Sequence, residues 1–94
     1  MNPHRPLFSL GRTLATPGAL RTLERTGVSA ASLLLRHQRG DWGDLDVEDQ
    51  RANDRALRED ARIFSSYLLE GNEKVWVITE ADRSLTTFLL PSEY

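Results

Sequence analysis

Residues 62–90 read RIFSSYLLEGNEKVWVITEADRSLTTFLL, and this stretch decides the fold. From Arg62 onward the pattern has a period of two. Ile63, Ser65, Tyr67 and Leu69 alternate with Phe64, Ser66 and Leu68, as a strand with two unlike faces requires. Glu70-Gly71-Asn72-Glu73 is hairpin-loop chemistry. Residues 74–79 are β-branched and aromatic on both faces, which predicts a strand in the middle of the sheet. Residues 80–84 turn the chain again and residues 85–90 make a third strand. Pro91 ends it because proline has no N–H for the ladder. The expectation is a three-stranded antiparallel meander.

Upstream the period changes to that of helices. Thr16-Pro17 opens a first helix, with Thr as N-cap and Pro at the first helical position, and Gly27 stops it. Ser29 caps a second helix that ends at Gly40, with Val28 and Leu33 as a hydrophobic staple and Arg36 and Arg39 in its last turn. Asp46 caps a third helix reaching about Asp60, whose apolar stripe is thin: Ala52, Ala56 and Leu57, with Asn53 beside them. Residues 1–15, with Pro3, Pro6 and Gly11, read as an irregular arm that tucks Leu7, Phe8 and Leu10 onto the core. The expected fold class is therefore α+β: three N-terminal helices packed on a C-terminal three-stranded antiparallel β-meander. It forms one domain over residues 1–94, with the arm at 1–15, helices in 16–60 and sheet in 61–94.

Composition narrows the function classes. The 94 residues contain no cysteine, which removes disulfides, thiolate zinc sites and thiol nucleophiles. No apolar run has the length needed to cross a membrane, and the N-terminus lacks the apolar stretch of a signal peptide, so a cytoplasmic protein is expected. The net charge of −2 conceals a segregation. Residues 1–40 carry six arginines against Glu24 alone, whereas residues 41–60 carry eight acids against Arg51, Arg55 and Arg58. Opposite charges concentrated in different segments suggest two surfaces of opposite sign, or two stretches that neutralise one another within the fold. A nucleic-acid partner is not favoured, since no basic surplus exists to displace counterions.

The acidic segment supplies the first candidate surface. Trp42 lies in a glycine-flanked bend between Asp41 and Asp44, and Asp46, Glu48 and Asp49 follow. An exposed aromatic anchor on an acidic ridge suits docking into a basic groove of a protein partner. The alternative is that Trp42 folds back as a core plug. The acids lack the spacing of a helix–loop–helix calcium loop, so no metal site is assigned. No phosphate-binding glycine loop or nucleophile elbow is present, and no cofactor is expected.

A second candidate is chemical. His37 is the one histidine in a predicted ordered element, and the strands carry Arg62, Ser65, Tyr67, Thr79, Glu80, Arg83 and Thr86. A set of His37, Arg62, Tyr67, Thr79, Glu80 and Arg83 has the residue types to cleave RNA without metal. In outline, helices before an antiparallel sheet with such groups resemble the barnase–EndoU–colicin–RelE group of nucleases. A third option is a small DNA-binding regulator using the basic first two helices.

Residues 36–44, RHQRGDWGD, and 77–94, VITEADRSLTTFLLPSEY, resemble a family of small uncharacterised proteins of bacterial plasmids and integrative elements, sometimes labelled plasmid-related or restriction-subunit-like. The resemblance runs from about Leu10 to the C-terminus and transfers no catalytic residues. It implies a mobile-element setting, where small acidic proteins inhibit host defence complexes of the CRISPR or restriction type. The expected partner is then a host or element protein complex, with a homodimer an open alternative for the assembly state.

Overall fold

Each helix starts where a side chain can cap it. In the computed structural model, which describes residues 5–94, Thr16 accepts from the Ala19 N–H, Ser29 from Ser32 and Asp46 from Asp49. These caps open α1 (Pro17–Thr26), α2 (Ala30–Gln38) and α3 (Val47–Glu59). Gly27 closes α1 in the left-handed region. Helix α2 is capped by Arg39, one residue before the expected Gly40. The Arg83 guanidinium caps α3, donating to the carbonyl of Ala56 at 3.0 Å and of Ala61 at 2.7 Å, while also holding the Glu80 and Ala81 carbonyls of its own turn. Arg83→Ala leaves those helix-end carbonyls without this partner. We expect it to lower stability by about 1–2 kcal/mol, measured by urea denaturation.

The sheet corrects the sequence-based expectation. It is not a three-stranded antiparallel meander but a four-stranded mixed sheet of order β1-β4-β3-β2. Strands β2 (Ile63–Leu69), β3 (Glu73–Thr79) and β4 (Leu85–Leu89) are antiparallel neighbours, as the alternation predicted. The added strand, β1 (Arg12–Ala15), lies in the stretch read as an irregular arm and pairs parallel to β4. Gly11 starts it at φ 63°, and a Cβ there would lie 2.3 Å from the Ser84 carbonyl. Only glycine lets the arm come that close to the turn before β4. A 3₁₀ turn, Pro91–Glu93, follows β4. His4, the other histidine of the chain, lies outside the described residues.

Strand alternation gives the sheet two different faces. Val75, Val77, Tyr67 and Phe88 point to one face, where Ala19 and Leu23 of α1 and Leu33 of α2 complete the main core. A second cluster, Trp42, Ala56 and Ile63 with Phe8, Leu45 and Leu57, sits under α3. Asn53 and Ala56 are the buried positions of α3, whereas Ala52 of the expected stripe is exposed. Of the arm residues, Phe8 packs as expected and Leu7 stays exposed.

The outer edge of β2 is closed by side chain and loop. Asn53 donates to the Phe64 carbonyl at 2.7 Å and accepts from its N–H at 3.0 Å. Ser66 donates to the Trp42 carbonyl and accepts from the Asp44 N–H, with Gly43 bridged between them. No helix among the described residues is long and apolar enough to cross a membrane.

Candidate functional site

His37 is fully buried at the centre of a linear polar chain. Its Nδ1 lies 2.6 Å from the Ser65 hydroxyl and its Nε2 lies 2.9 Å from that of Thr79. Thr79 is 2.7 Å from the Thr86 hydroxyl, and Thr86 donates to the Leu10 carbonyl at 2.8 Å. A carbonyl only accepts, so the proton order is fixed from that end. Thr86 gives its proton to Leu10, Thr79 to Thr86 and His37 Nε2–H to Thr79. Burial lowers the His37 pKa from 6.5 to about 4, and in the neutral ring Nδ1 accepts from Ser65. Phe8 and Trp42 close over the ring edge-on, with centroids 5.1 and 6.0 Å away. The imidazole is sealed from solvent, with both nitrogens engaged.

The other chemical candidates do not gather around it. Tyr67 is buried on the same face as His37, but its hydroxyl donates to the Asp41 carbonyl at 2.7 Å and burial pushes its pKa up to about 12. Arg62 and Glu80 are one step off in the alternation and lie on the opposite face, paired to each other at 3.3 Å. Arg62 also donates to the Tyr94 hydroxyl, and that bond is the main cause of its raised pKa. Arg83 is committed to carbonyls. Thr79 belongs to the sealed chain. The six residues thus divide between two sides of the sheet and the end of α3.

The acidic segment is more accessible, with one exception. Trp42 is 7% exposed and fills the second core cluster. Its nearest acids are partly neutralised. Asp41 is bound by Arg36 at 2.7 Å, which holds its carboxyl below the usual range, and Asp44 pairs with Lys74 at 3.3 Å. Asp46 remains exposed while it caps α3, and Glu48 and Asp49 are exposed in the first turn. Among the described residues, none of these three enters an ion pair within 4.0 Å. Between them Val47 is 59% exposed. Sequence reasoning missed Val47 because Trp42, the larger apolar residue of the same acidic segment, was taken as its anchor. Its position after the cap, outside the stripe of Asn53 and Ala56, already turned it outward. Among the described residues no group of three His, Asp or Glu side chains is placed to hold a metal ion.

No protein-family model, curated protein or solved structure matches the chain.

Proposed function

We propose that the protein is a non-enzymatic protein-binding module whose contact surface is the acidic corner at the start of α3. The observation that carries this reading is Val47, an exposed apolar side chain set among the exposed carboxylates of Asp46, Glu48 and Asp49. An apolar contact ringed by unpaired charge suits a basic partner surface with a small apolar pocket, approached under electrostatic steering. Trp42 is core, and Asp41 and Asp44 are already paired to Arg36 and Lys74, so the contact is carried by Asp46, Glu48 and Asp49. The finer reading is an inhibitor of a host defence complex, of anti-CRISPR or anti-restriction type, carried by a mobile element. It is supported by the family resemblance of residues 36–44 and 77–94.

The test is a variant with Val47→Arg, Glu48→Lys and Asp49→Lys, which spares the Asp46 cap. Tagged wild-type protein is expected to retain a defined host complex from bacterial lysate, identified by mass spectrometry, and the triple variant to lose it while its melting curve stays cooperative. Retention of the same proteins by both forms, or of none by the wild type, rejects the surface.

A further inference from the structure

The three α-helices lie on one side of the sheet or along its β2 edge; among the described residues no α-helix covers the other side, where Tyr94, just after the 3₁₀ turn that packs on β3, lies on Trp76. Register arranges that open side in four rows across the strands. One end row holds Arg62, Glu80, Leu85 and Arg12. The two middle rows hold Phe64, Ile78, Thr87 and Leu14, then Ser66, Trp76 and Leu89. The far end row holds Leu68 and Lys74, with Asp44 paired to Lys74. Leu68 is 52% exposed, and Tyr94, 72% exposed, lies with its ring against Trp76. A groove of about 300 Å³ runs between Arg62, Phe64, Trp76, Ile78 and Tyr94. An aromatic centre with charges at its rim has the composition of a protein interface rather than of a solvated sheet face.

We propose that this face is the interface of a homodimer, two copies stacked sheet on sheet about a two-fold axis running across the strands. Such an axis lays each strand over its own copy and reverses the order of the rows. Charge complementarity selects it. Glu80 of one copy falls over Lys74 of the other, and Arg62 falls toward the Leu68 end, where Asp44 lies. Both contacts occur twice, as an isologous interface demands. The area suffices for a weak dimer. The strands are seven, seven, five and four residues long and about 4.8 Å apart, a footprint of roughly 360 Å² per copy, hence on the order of 700 Å² in total, the size of a weak, transient contact. A nucleic acid is a poorer occupant, because the carboxylates of Glu80 and Asp44 stand beside Arg62 and Lys74 on this face and repel phosphate. The proposal is independent of the acidic corner, whose residues lie on α3.

Sedimentation velocity of the full chain from about 1 to about 500 µM is expected to show the 10.7 kDa species doubling in mass with a micromolar midpoint. Thr87→Arg, central on the open face, should leave a monomer with an unchanged melting curve. Glu80→Lys and Lys74→Glu should each weaken association by about ten-fold or more, and the double exchange should restore most of it. The charge exchange decides the matter even if Thr87→Arg does not fold. A wild type that stays monomeric overturns the proposal, as does a dimer indifferent to a folded Thr87→Arg or charge singles that the double exchange does not rescue. A monomer that binds a labelled single-stranded oligonucleotide through this face overturns it too.

Discussion

Between pH 7 and pH 4 the protein is expected to lose on the order of 3 kcal/mol of folding stability through one side chain, His37, since its pKa falls from 6.5 to about 4 on folding and each unit is worth about 1.4 kcal/mol. The sign follows from which state binds the proton. In the unfolded chain the imidazole protonates near 6.5, whereas in the fold it resists until about 4, so between those values the unfolded state takes up more protons. The contribution is complete above 6.5, declines as pH falls through the interval and is gone below 4. Burial explains why this site resists: Phe8 and Trp42 close over a fully buried ring, so an imidazolium there would be stripped of its hydration. Loss of that size is a large share of the 5–15 kcal/mol typical of a domain. Urea denaturation at pH 4, 5, 6.5 and 7.5 measures it, with His37→Gln as the reference that cannot titrate. The variant starts less stable because it disturbs the chain, but the difference between the two proteins should shrink steadily below pH 6.5. Asp41, Asp82 and Glu93, whose pKa values are lowered by hydrogen bonds, contribute in a lower window and in both proteins alike. Parallel curves for the two proteins would show that His37 is not the titrating group.

The features legible in the sequence were those decided within a few residues. Thr16, Ser29 and Asp46 cap their own helices, and the period of two in residues 62–90 fixed three strands and their order. Strand β1 was not legible, because its cause is distant. Arg12-Thr13-Leu14-Ala15 is exposed over most of its length and shows no alternation, and it becomes a strand only because β4 offers an open edge. Trp42 illustrates the converse: a glycine-flanked bend normally projects outward, but this one folds back along β2 and carries its indole into the core. The candidate site could have been read more closely from the same letters. Ser65, Tyr67 and Thr79 share one parity of the alternation, and Arg62 and Glu80 have the other. Grouping these residues by chemical type joined groups that the pleat holds on opposite sides. The polar chain through His37 needs contacts between α2, three strands and the arm, and no local pattern encodes it.

The role of Asn53 belongs to that distant kind, and it carries the second large effect. Asn53→Leu should destabilise the protein by about 3 kcal/mol, because it leaves both a donor and an acceptor of the β2 backbone without partners. An unprotected sheet edge normally invites another strand. Here Phe64 directs its N–H and C=O away from β3, and the Asn53 amide meets both, as the peptide group of a fifth strand would. Leucine shares asparagine's branching, but its methyls cannot sit at the 2.7 and 3.0 Å that the amide keeps to the Phe64 backbone, so the loss combines the missing hydrogen bonds with crowding under α3. Asn53→Asp sharpens the test: its carboxylate still accepts from the Phe64 N–H but has no proton for the Phe64 carbonyl, and it is buried besides. It should therefore be no better than leucine at neutral pH. Hydrogen exchange reads the edge directly. The Phe64 amide should lose its protection in the leucine variant, while Val77, paired inside the sheet, keeps it. If the leucine variant stays within about 1 kcal/mol of wild type and the Phe64 amide remains protected, the Asn53 amide is not what closes β2. If the expected losses appear, the exposed edge should also promote self-association through β2. That association would survive Thr87→Arg, whereas stacking of the open faces would not, because edge pairing proceeds strand to strand and leaves the row of Thr87 uncovered.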